Sequence, residues 1–391
     1  MAHSDTKRPG ISALPLRHTD IDGRLRLLRE AGLVKGDVET GLRLMGERTL
    51  LEATELMDPP VENVIGAIPY QLGLATNFRI NGHEVLVPMA VREPTIIAGV
   101  SKAAKLALPE GFSVDVGPFN EMTAEILFRG FGSEAEAEEA HELVRSGLGY
   151  AVHKTEGSPA ARGRITGYDV LYIAPERTSD CPLIVVRIKV DTGDFMGARI
   201  STTMAQKLAK HLEGPAGREA TTVICSNHKA GRMISVKAIL PRANVDRETA
   251  RTIIDLQRWA TKDPYREITH NKGIMNAVMA VCRATGQDEE AAWTAMWLTP
   301  RPSPVWRQSF TRCSETRDGL LMQLYLKVPI ATRGGATQDP FSKMIRGIAD
   351  ITDVRDLLQT IGAAGLAANI AALHCLANEG ILAAFEKVRT D

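Results

Sequence analysis

The chain has no excess of charge: 47 basic side chains face 47 acidic ones, and no long block of like charge occurs. The electrostatic footprint of a nucleic-acid binder is therefore missing, and a small-molecule partner is expected. Cysteine is sparse. Cys181, Cys225, Cys282, Cys313 and Cys375 are scattered and odd in number, with no C-x-x-C pair and no Cys/His ligand spacing. That excludes a disulfide scaffold and gives no motif for a metal site, so the thiols read as reduced core residues. The amino terminus lacks the apolar run of a secretory signal, and cytoplasmic residence is the expectation. Long hydrophobic runs are missing too: "IGAAGLAANIAALHCLA" (361–377) falls short of a membrane span and carries Asn369 and His374, which predicts a buried helix. There is no G-x-G-x-x-G, Walker sequence, H-E-x-x-H or G-x-S-x-G.

What is present is an ordinary globular chain of 391 residues, with hydrophobic content of 44% ample for sizeable cores and a length that suggests roughly two to three domains. Residues 1–60 read as a helical entry segment closed by "LMDPP". In 74–91, two β-like runs flank Asn81-Gly82, the dipeptide suited to a tight hairpin turn. A helix follows in 93–108, where Pro94 fits a first turn and Ile96, Ile97, Val100, Ala103 and Ala104 share a face. Between 115 and 241 the order is strand, helix, strand, strand, helix, strand, with one further strand at "MISVKAIL". That βαββαβ order is the split βαβ arrangement of ferredoxin-like domains. The fold class is thus α+β: a large, mostly helical domain (1–114 and 242–391) with a long buried helix, interrupted by a small ferredoxin-like domain (115–241). Helices dominate after 242, apart from a strand pair around 319–331 and a glycine turn at Gly334-Gly335.

Two local features bear on chemistry. "GDFMG" (193–197) follows a strand and opens a helix, so its N–H groups can receive a phosphate, although glycine at such a turn is commonplace. Lys272 reads as standing at the mouth of an apolar helix beginning at Ile274, where the macrodipole disfavours an ammonium.

Taken together, "ENVIG" (62–66), "NFRINGHEVLVPMAVREP" (77–94), "DTGDFMGA" (191–198), "CSN" (225–227), "DPYREITHNKGIMN" (263–276), "ATGQD" (284–288), "RGGAT" (333–337) and "GLAANIAALHCLANEGI" (365–381) recur in order. Nearly the whole chain resembles the hydroxymethylglutaryl-CoA reductases, of the bacterial class II type. The resemblance implies a ferredoxin-like domain that binds NADH or NADPH, a CoA thioester as substrate, and a homodimer with active sites between subunits and "ENVIG" in the contact. The implied reaction is two successive hydride transfers to the thioester carbon, giving mevalonate and CoA.

On this resemblance, Lys272 matches the catalytic lysine, an ammonium aimed at the developing oxyanion. Glu93 matches the catalytic glutamate, and Asp288 the aspartate that couples glutamate with lysine. Carboxylates packed around one lysine would raise each other's proton affinities and supply the acid. Local sequence alone also reads Lys272 as a solvated lysine and Asp288 as a helix N-cap. Arg266 matches an arginine for the substrate carboxylate, while Thr95, Asn276 and Asn369 match polar contacts to the acyl group. Asp194, Met196, Gly197 and Ala198 match the family's D-A-M-G-x-N cofactor stretch, Arg199 stands at its asparagine position, and Asn227 is nearby in the family arrangement.

There are departures. Phe385 stands where the family's CoA-protonating histidine is expected, and the chain stops at Asp391 without the C-terminal flap domain. Phe195 replaces the motif's alanine, Arg199 its asparagine, and Ala368 a glutamine of the acyl pocket. The acidic residue that holds the adenosine ribose in NAD users aligns uncertainly near Glu156, which leaves NAD and NADP both open. A shifted acyl or aldehyde substrate, or a non-catalytic CoA- or nucleotide-binding homologue, are the alternatives these departures raise.

Overall fold

The computed structural model describes residues 11–16, 19–34, 70–93, 95–118, 120–157, 163–177, 180–226, 232–297, 309–378 and 380. Most of the 1–60 entry segment, "ENVIG", Pro94, Asn227 and Phe385 lie outside these residues. Asp20 caps α1 (Ile21–Glu30) by accepting the Gly23 N–H at 2.8 Å. The expected hairpin is formed by β1 (Gln71–Ile80) and β2 (His83–Val91). Asn81 and Gly82 turn it with φ angles of 49° and 83°, the left-handed conformations that this dipeptide tolerates. The next helix, α2 (Thr95–Leu106), buries Val100, Ala103 and Ala104 on one face.

β3 (Phe112–Val116) leads into a small antiparallel sheet of β4 (Glu121–Phe128), β5 (Arg164–Ile173), β6 (Leu183–Asp191) and β7 (Thr222–Cys225), in the order β5-β6-β4-β7. Its helices are α3 (Glu134–Glu156) and α4 (Ala198–Ala216). Ser133 begins α3 by accepting the Glu136 N–H, and Glu136 accepts the Gly132 N–H in turn, a reciprocal cap readable from S-x-x-E. Ile126, Phe128, Val186 and Ile188 alternate onto one face of the sheet and bury against Val144, Leu148, Met204 and Leu208 of the two helices. This is the ferredoxin-like arrangement.

The strand expected as an extra member of that unit is placed elsewhere. β8 (Arg232–Pro241) pairs with β3 and with β10 (Gly319–Val328), which pairs with β9 (Thr311–Glu315), completing a second sheet ordered β2-β1-β3-β8-β10-β9. The range 115–241 therefore takes in strands of both sheets. Strand propensity marked β8 as a strand, but only register assigns it: Val114, Ile234, Val236 and Leu324 belong to the large core cluster rather than to the small one.

Helices cover the six-stranded sheet. They are α5 (Arg247–Lys262), α6 (Pro264–Ala284), α7 (Glu289–Trp297), α8 (Pro340–Ile348) and α9 (Val354–Asn378). α9 contains the 361–377 run and is buried along Leu357, Ile361, Leu366 and Ile370. A Cβ at Gly362 would stand 2.8 Å from Ile234 and 2.9 Å from Val236, so glycine there lets α9 lie directly on β8. A Cβ at Gly365 would meet Val278 of α6 and Leu324 of β10, both at 3.2 Å. α9 thus fixes α6, and with it Lys272, relative to the sheet.

One expectation about Lys272 is overturned. α6 begins at Pro264, eight residues earlier than the lysine, and Asp263 caps it by accepting the Tyr265 N–H at 2.8 Å and the Arg266 N–H at 3.4 Å. Proline at the first helical position, preceded by aspartate, is the start signal. The exposed Lys272 is therefore mid-helix, where the macrodipole exerts little effect on it.

Candidate active site

The expected cofactor side is the turn from β6 into α4. Asn120, buried just before β4, directs its Nδ2 to the carbonyls of Gly193 and Phe195, both at 2.9 Å, and to Thr192 Oγ1 at 3.3 Å. Thr192 Oγ1 lies 2.9 Å from the same Phe195 carbonyl and 3.1 Å from that of Asn120. Asp191 accepts the Gly193 and Asn120 N–H groups at 3.2 Å each. Gly197, the residue before α4, has φ 93°, and a Cβ there would stand 2.3 Å from Thr192 Cγ2. Only glycine fits this cradle. No side chain caps α4, so its first-turn N–H groups at Ala198 and Arg199 present the positive helix end outward. Arg199 is exposed on that turn and Met196 is half-buried beside it. This donor set fits a phosphate-bearing group.

An open cleft of about 430 Å³ runs along the turn, lined by Gly163, Arg164, Asp191, Thr192, Gly193, Asp194, Phe195 and Arg333. Arg333 belongs to the glycine turn of the large core. The Asp194 carbonyl accepts the Thr332 and Arg333 N–H groups at 3.0 and 3.1 Å, and Phe195 forms an isolated parallel bridge with Arg333. The Asp194 carboxylate stands 3.9 Å from Arg333 Nε. The two sheets' units thus touch through the cofactor turn. Asn120 and Arg333 were not singled out by sequence. For Asn120 there was no signal, since an asparagine before a strand is ordinary; for Arg333 the signal was "RGGAT" itself.

The residues expected to meet the acyl group lie on or beside α2, α6 and α9. Glu93 is exposed just ahead of α2, and Thr95 is its half-buried first residue. Arg266 is half-buried near the Trp259 ring, 5.8 Å from its centroid, and burial lowers its pKa from the ordinary guanidinium value. Asn276 lies one turn beyond Lys272 and is half-buried. Asp288 caps α7, its Oδ1 accepting the Ala291 N–H at 2.8 Å, as the local reading expected.

Asn369 is buried in α9, with Nδ2 donating to His270 Nε2 at 3.1 Å, while Thr311 Oγ1 lies 2.7 Å from the same nitrogen. Asn369 Oδ1 and His270 Nδ1 have no hydrogen-bond partner, nor does Asn271 Nδ2, whose Oδ1 accepts the Phe310 N–H at 3.0 Å. Burial, with a smaller contribution from Arg266, lowers the His270 pKa to about 4 and keeps the ring neutral. Sequence did not pick out His270, which sits in the quoted "THNKG"; a histidine on a mostly apolar helix reads as core.

Within one chain Lys272 and Asp288 are not together. Among the described residues no ion pair joins Lys272 to Glu93 or Asp288, and all three side chains are exposed. The helix accounts for it: from Lys272 to Ala284 α6 rises about 18 Å, and Asp288 follows just beyond that end. The packed carboxylates expected around the lysine are not a feature of the single chain.

Comparison with known proteins fits both halves. The hydroxymethylglutaryl-coenzyme A reductase family matches residues 20–390. A 3-hydroxy-3-methylglutaryl-coenzyme A reductase of Archaeoglobus fulgidus is 30% identical over 369 residues, covering 92% of this chain and 81% of that protein. Two solved structures are of the Streptococcus pneumoniae enzyme. One, a class II reductase bound to NADPH in open conformations, superposes with a TM-score of 0.79 at 26% identity, over 92% of this chain and 97% of that one. The other gives 0.81 at 26% identity, over 93% and 86%. The ferredoxin-like unit, the glycine-cradled turn and the lysine-bearing helix are thus parts of a shared whole, and the chain belongs to the hydroxymethylglutaryl-coenzyme A reductase family.

Proposed function

We propose that this chain reduces the acyl group of hydroxymethylglutaryl-CoA, or the aldehyde derived from it, with the nicotinamide nucleotide held at 194–199 and the acyl group on the exposed side of α6. Family membership makes it an NAD(P)-dependent reductase of the hydroxymethylglutaryl-CoA type. The observation that carries the finer reading is the turn at Gly197: a preformed cradle with an uncapped helix start, bonded through Asp194 and Arg333 to the unit that carries Lys272. The related Streptococcus pneumoniae structure is bound to NADPH, which supports a nicotinamide nucleotide as the group this chain takes.

A bound NAD(P)H supplies the hydride. Lys272 then places an ammonium at the carbonyl oxygen, where a preorganised donor in a closed site is worth about 3 kcal/mol of transition-state stabilisation. Arg266 takes the substrate carboxylate, with a planar fork suited to that anion. Thr95, Asn276 and Asn369 are assigned the polar contacts to the acyl group. Glu93 is assigned delivery of the proton to the alkoxide, and Asp288 the coupling of glutamate with lysine.

The separation of Lys272 from Asp288 along α6 supports a composite site, in which a second copy brings its own Asp288 and Glu93 to this chain's lysine. The exposed stripe around Lys272 suits an interface, for it includes Tyr265 at 85% and Ile268 at 51% exposure. The test is NAD(P)H oxidation by purified protein with hydroxymethylglutaryl-CoA and, separately, with mevaldehyde. Turnover with both supports the full reaction, and turnover with mevaldehyde alone restricts it to the second hydride transfer. Nucleotide binding without turnover of either would sink the reductase reading for these substrates.

A further inference from the structure

The turn at 285–288 and the segment 331–338 interlock. Gly286, with φ 69°, lies so close to the second segment that a Cβ would stand 2.6 Å from the Ala336 carbonyl oxygen and 2.3 Å from Ser342 Oγ. Two buried polar side chains tie the pair together. Gln287 Oε1 accepts the Ala331 N–H at 2.9 Å, and its Nε2 donates to the Thr285 carbonyl at 3.0 Å. Arg346, on α8, donates from Nη1 to that same Thr285 carbonyl at 3.2 Å and from Nη2 to the Thr337 carbonyl at 2.7 Å.

Each end of this linkage meets a proposed functional group. Asp288 directly follows Gln287. At the other end, Thr332 directly follows Ala331, and its N–H and that of Arg333 hold the Asp194 carbonyl of the cofactor turn. Gln338 Nε2 donates to the Thr332 carbonyl at 2.9 Å, and Thr337 Oγ1 to the Gly334 carbonyl at 2.7 Å, which makes 332–338 one braced unit.

Arg346 is a costly side chain to bury. It is only 7% exposed and both of its hydrogen-bond acceptors are neutral carbonyls; burial lowers its pKa, offset in part by the Asp339 carboxylate that caps α8. An apolar side chain in its place would avoid that burial but leave the Thr337 carbonyl without this donor. What an apolar side chain lacks is the fork that holds carbonyls of two separate loops at once.

We propose that Gln287 and Arg346 are positioning residues that couple the cofactor turn to the placement of the Asp288 carboxylate. Nucleotide bound at 194–199 steadies 332–338 through the Asp194 carbonyl; the two side chains pass that restraint to 285–288. This rests on the cofactor reading proposed above.

The test is hydrogen exchange of the full-length protein with and without NADPH or NADH, comparing peptides over 331–338 and 285–291 in wild type, Arg346→Lys and Gln287→Leu. Expected is slowed exchange in both peptides of the wild type, and in each variant slowing kept at 331–338 but lost at 285–291. Lysine retains the charge and cannot reach both carbonyls, so its failure to rescue separates bridging from charge. Slowing at 285–291 that survives in the folded variants, or that is confined to 331–338 in the wild type, overturns the coupling alone. No slowing at 331–338 in the wild type overturns the cofactor reading and the coupling with it. Should Arg346→Lys fail to fold, Gln287→Leu decides.

Discussion

The two sides of the candidate site are built in opposite ways. The cofactor turn is internally complete: Asn120, Thr192 and Asp191 bond its carbonyls and N–H groups, Gly197 fits a space no side chain can enter, and Arg333 clasps it from outside. The acyl side instead offers exposed, separate charges at Glu93, Lys272 and Asp288. A preorganised turn needs no partner to take its shape, whereas dispersed charges gain strength only when substrate or a second copy excludes water. On the proposed reading, the first half is a property of the chain and the second a property of an assembly.

The largest effect tests the second half. Lys272→Ala is expected to reduce turnover with hydroxymethylglutaryl-CoA or mevaldehyde at least about 10³-fold, the loss of a charged donor at a developing oxyanion. Because Lys272 is an exposed mid-helix residue and alanine favours helix, stability is expected to hold within about 0.5 kcal/mol in urea titration. Unchanged turnover would remove the lysine from the mechanism and leave the cofactor half standing alone.

Mixing distinguishes an assembled site from a single-chain one. Lys272→Ala and Asp288→Ala proteins, each inactive, are refolded together in equal amounts. If lysine and aspartate come from different subunits, half of the dimers are mixed and one of their two sites is intact, so about a quarter of wild-type activity returns. If they come from one chain, nothing returns. Asp288→Asn is the companion control, since it keeps an oxygen for the Ala291 N–H and so preserves the helix cap.

Gly197→Ala tests the preformed half. The added methyl meets Thr192 and forces a left-handed φ on a residue with a Cβ, which together cost about 1–3 kcal/mol. NAD(P)H affinity, read by fluorescence titration, is expected to fall about tenfold or more, with the KM for the acyl substrate little changed. Asn120→Ala is expected to act in the same direction, because it frees the Gly193 and Phe195 carbonyls. Equal losses of nucleotide and acyl-substrate affinity would contradict the assignment of this turn to nucleotide binding alone.

How far the sequence disclosed this follows the same division. The hairpin was legible because Asn81-Gly82 is a local instruction, and the ferredoxin-like order because each element announces its own period. The allocation of β8 to the larger sheet was not, since pairing between residues 112–116 and 232–241 leaves no mark on either segment alone. Lys272 was misplaced within its helix because the apolar run from Ile274 drew the boundary, although Asp263-Pro264 was the stronger start signal. His270, Gln287 and Arg346 went unread for a different reason. Their importance lies in buried hydrogen bonds to distant carbonyls and side chains, and a lone polar residue in an apolar stretch does not say what it will face.

The smallest effect concerns the buried group next to the acyl side. His270 has its pKa lowered to about 4 from the ordinary 6.5, so the unfolded chain binds a proton in the interval where the folded chain does not. Its neutral form contributes stability above pH 6.5 that is lost as pH falls towards 4. At pH 5 the loss is about 2 kcal/mol relative to pH 7. Nε2 accepts from Asn369, and protonation would remove that acceptor as well as bury a charge near Arg266. In His270→Gln the titrating group is gone while a terminal amide remains to meet Asn369 and Thr311. Unfolding free energies from urea titration at pH 7 and pH 5 should therefore differ by about 2 kcal/mol less in the variant than in the wild type. An equal pH dependence would mean that burial does not hold the His270 ring neutral in the folded chain, and the ring would then not be a fixed acceptor for Asn369.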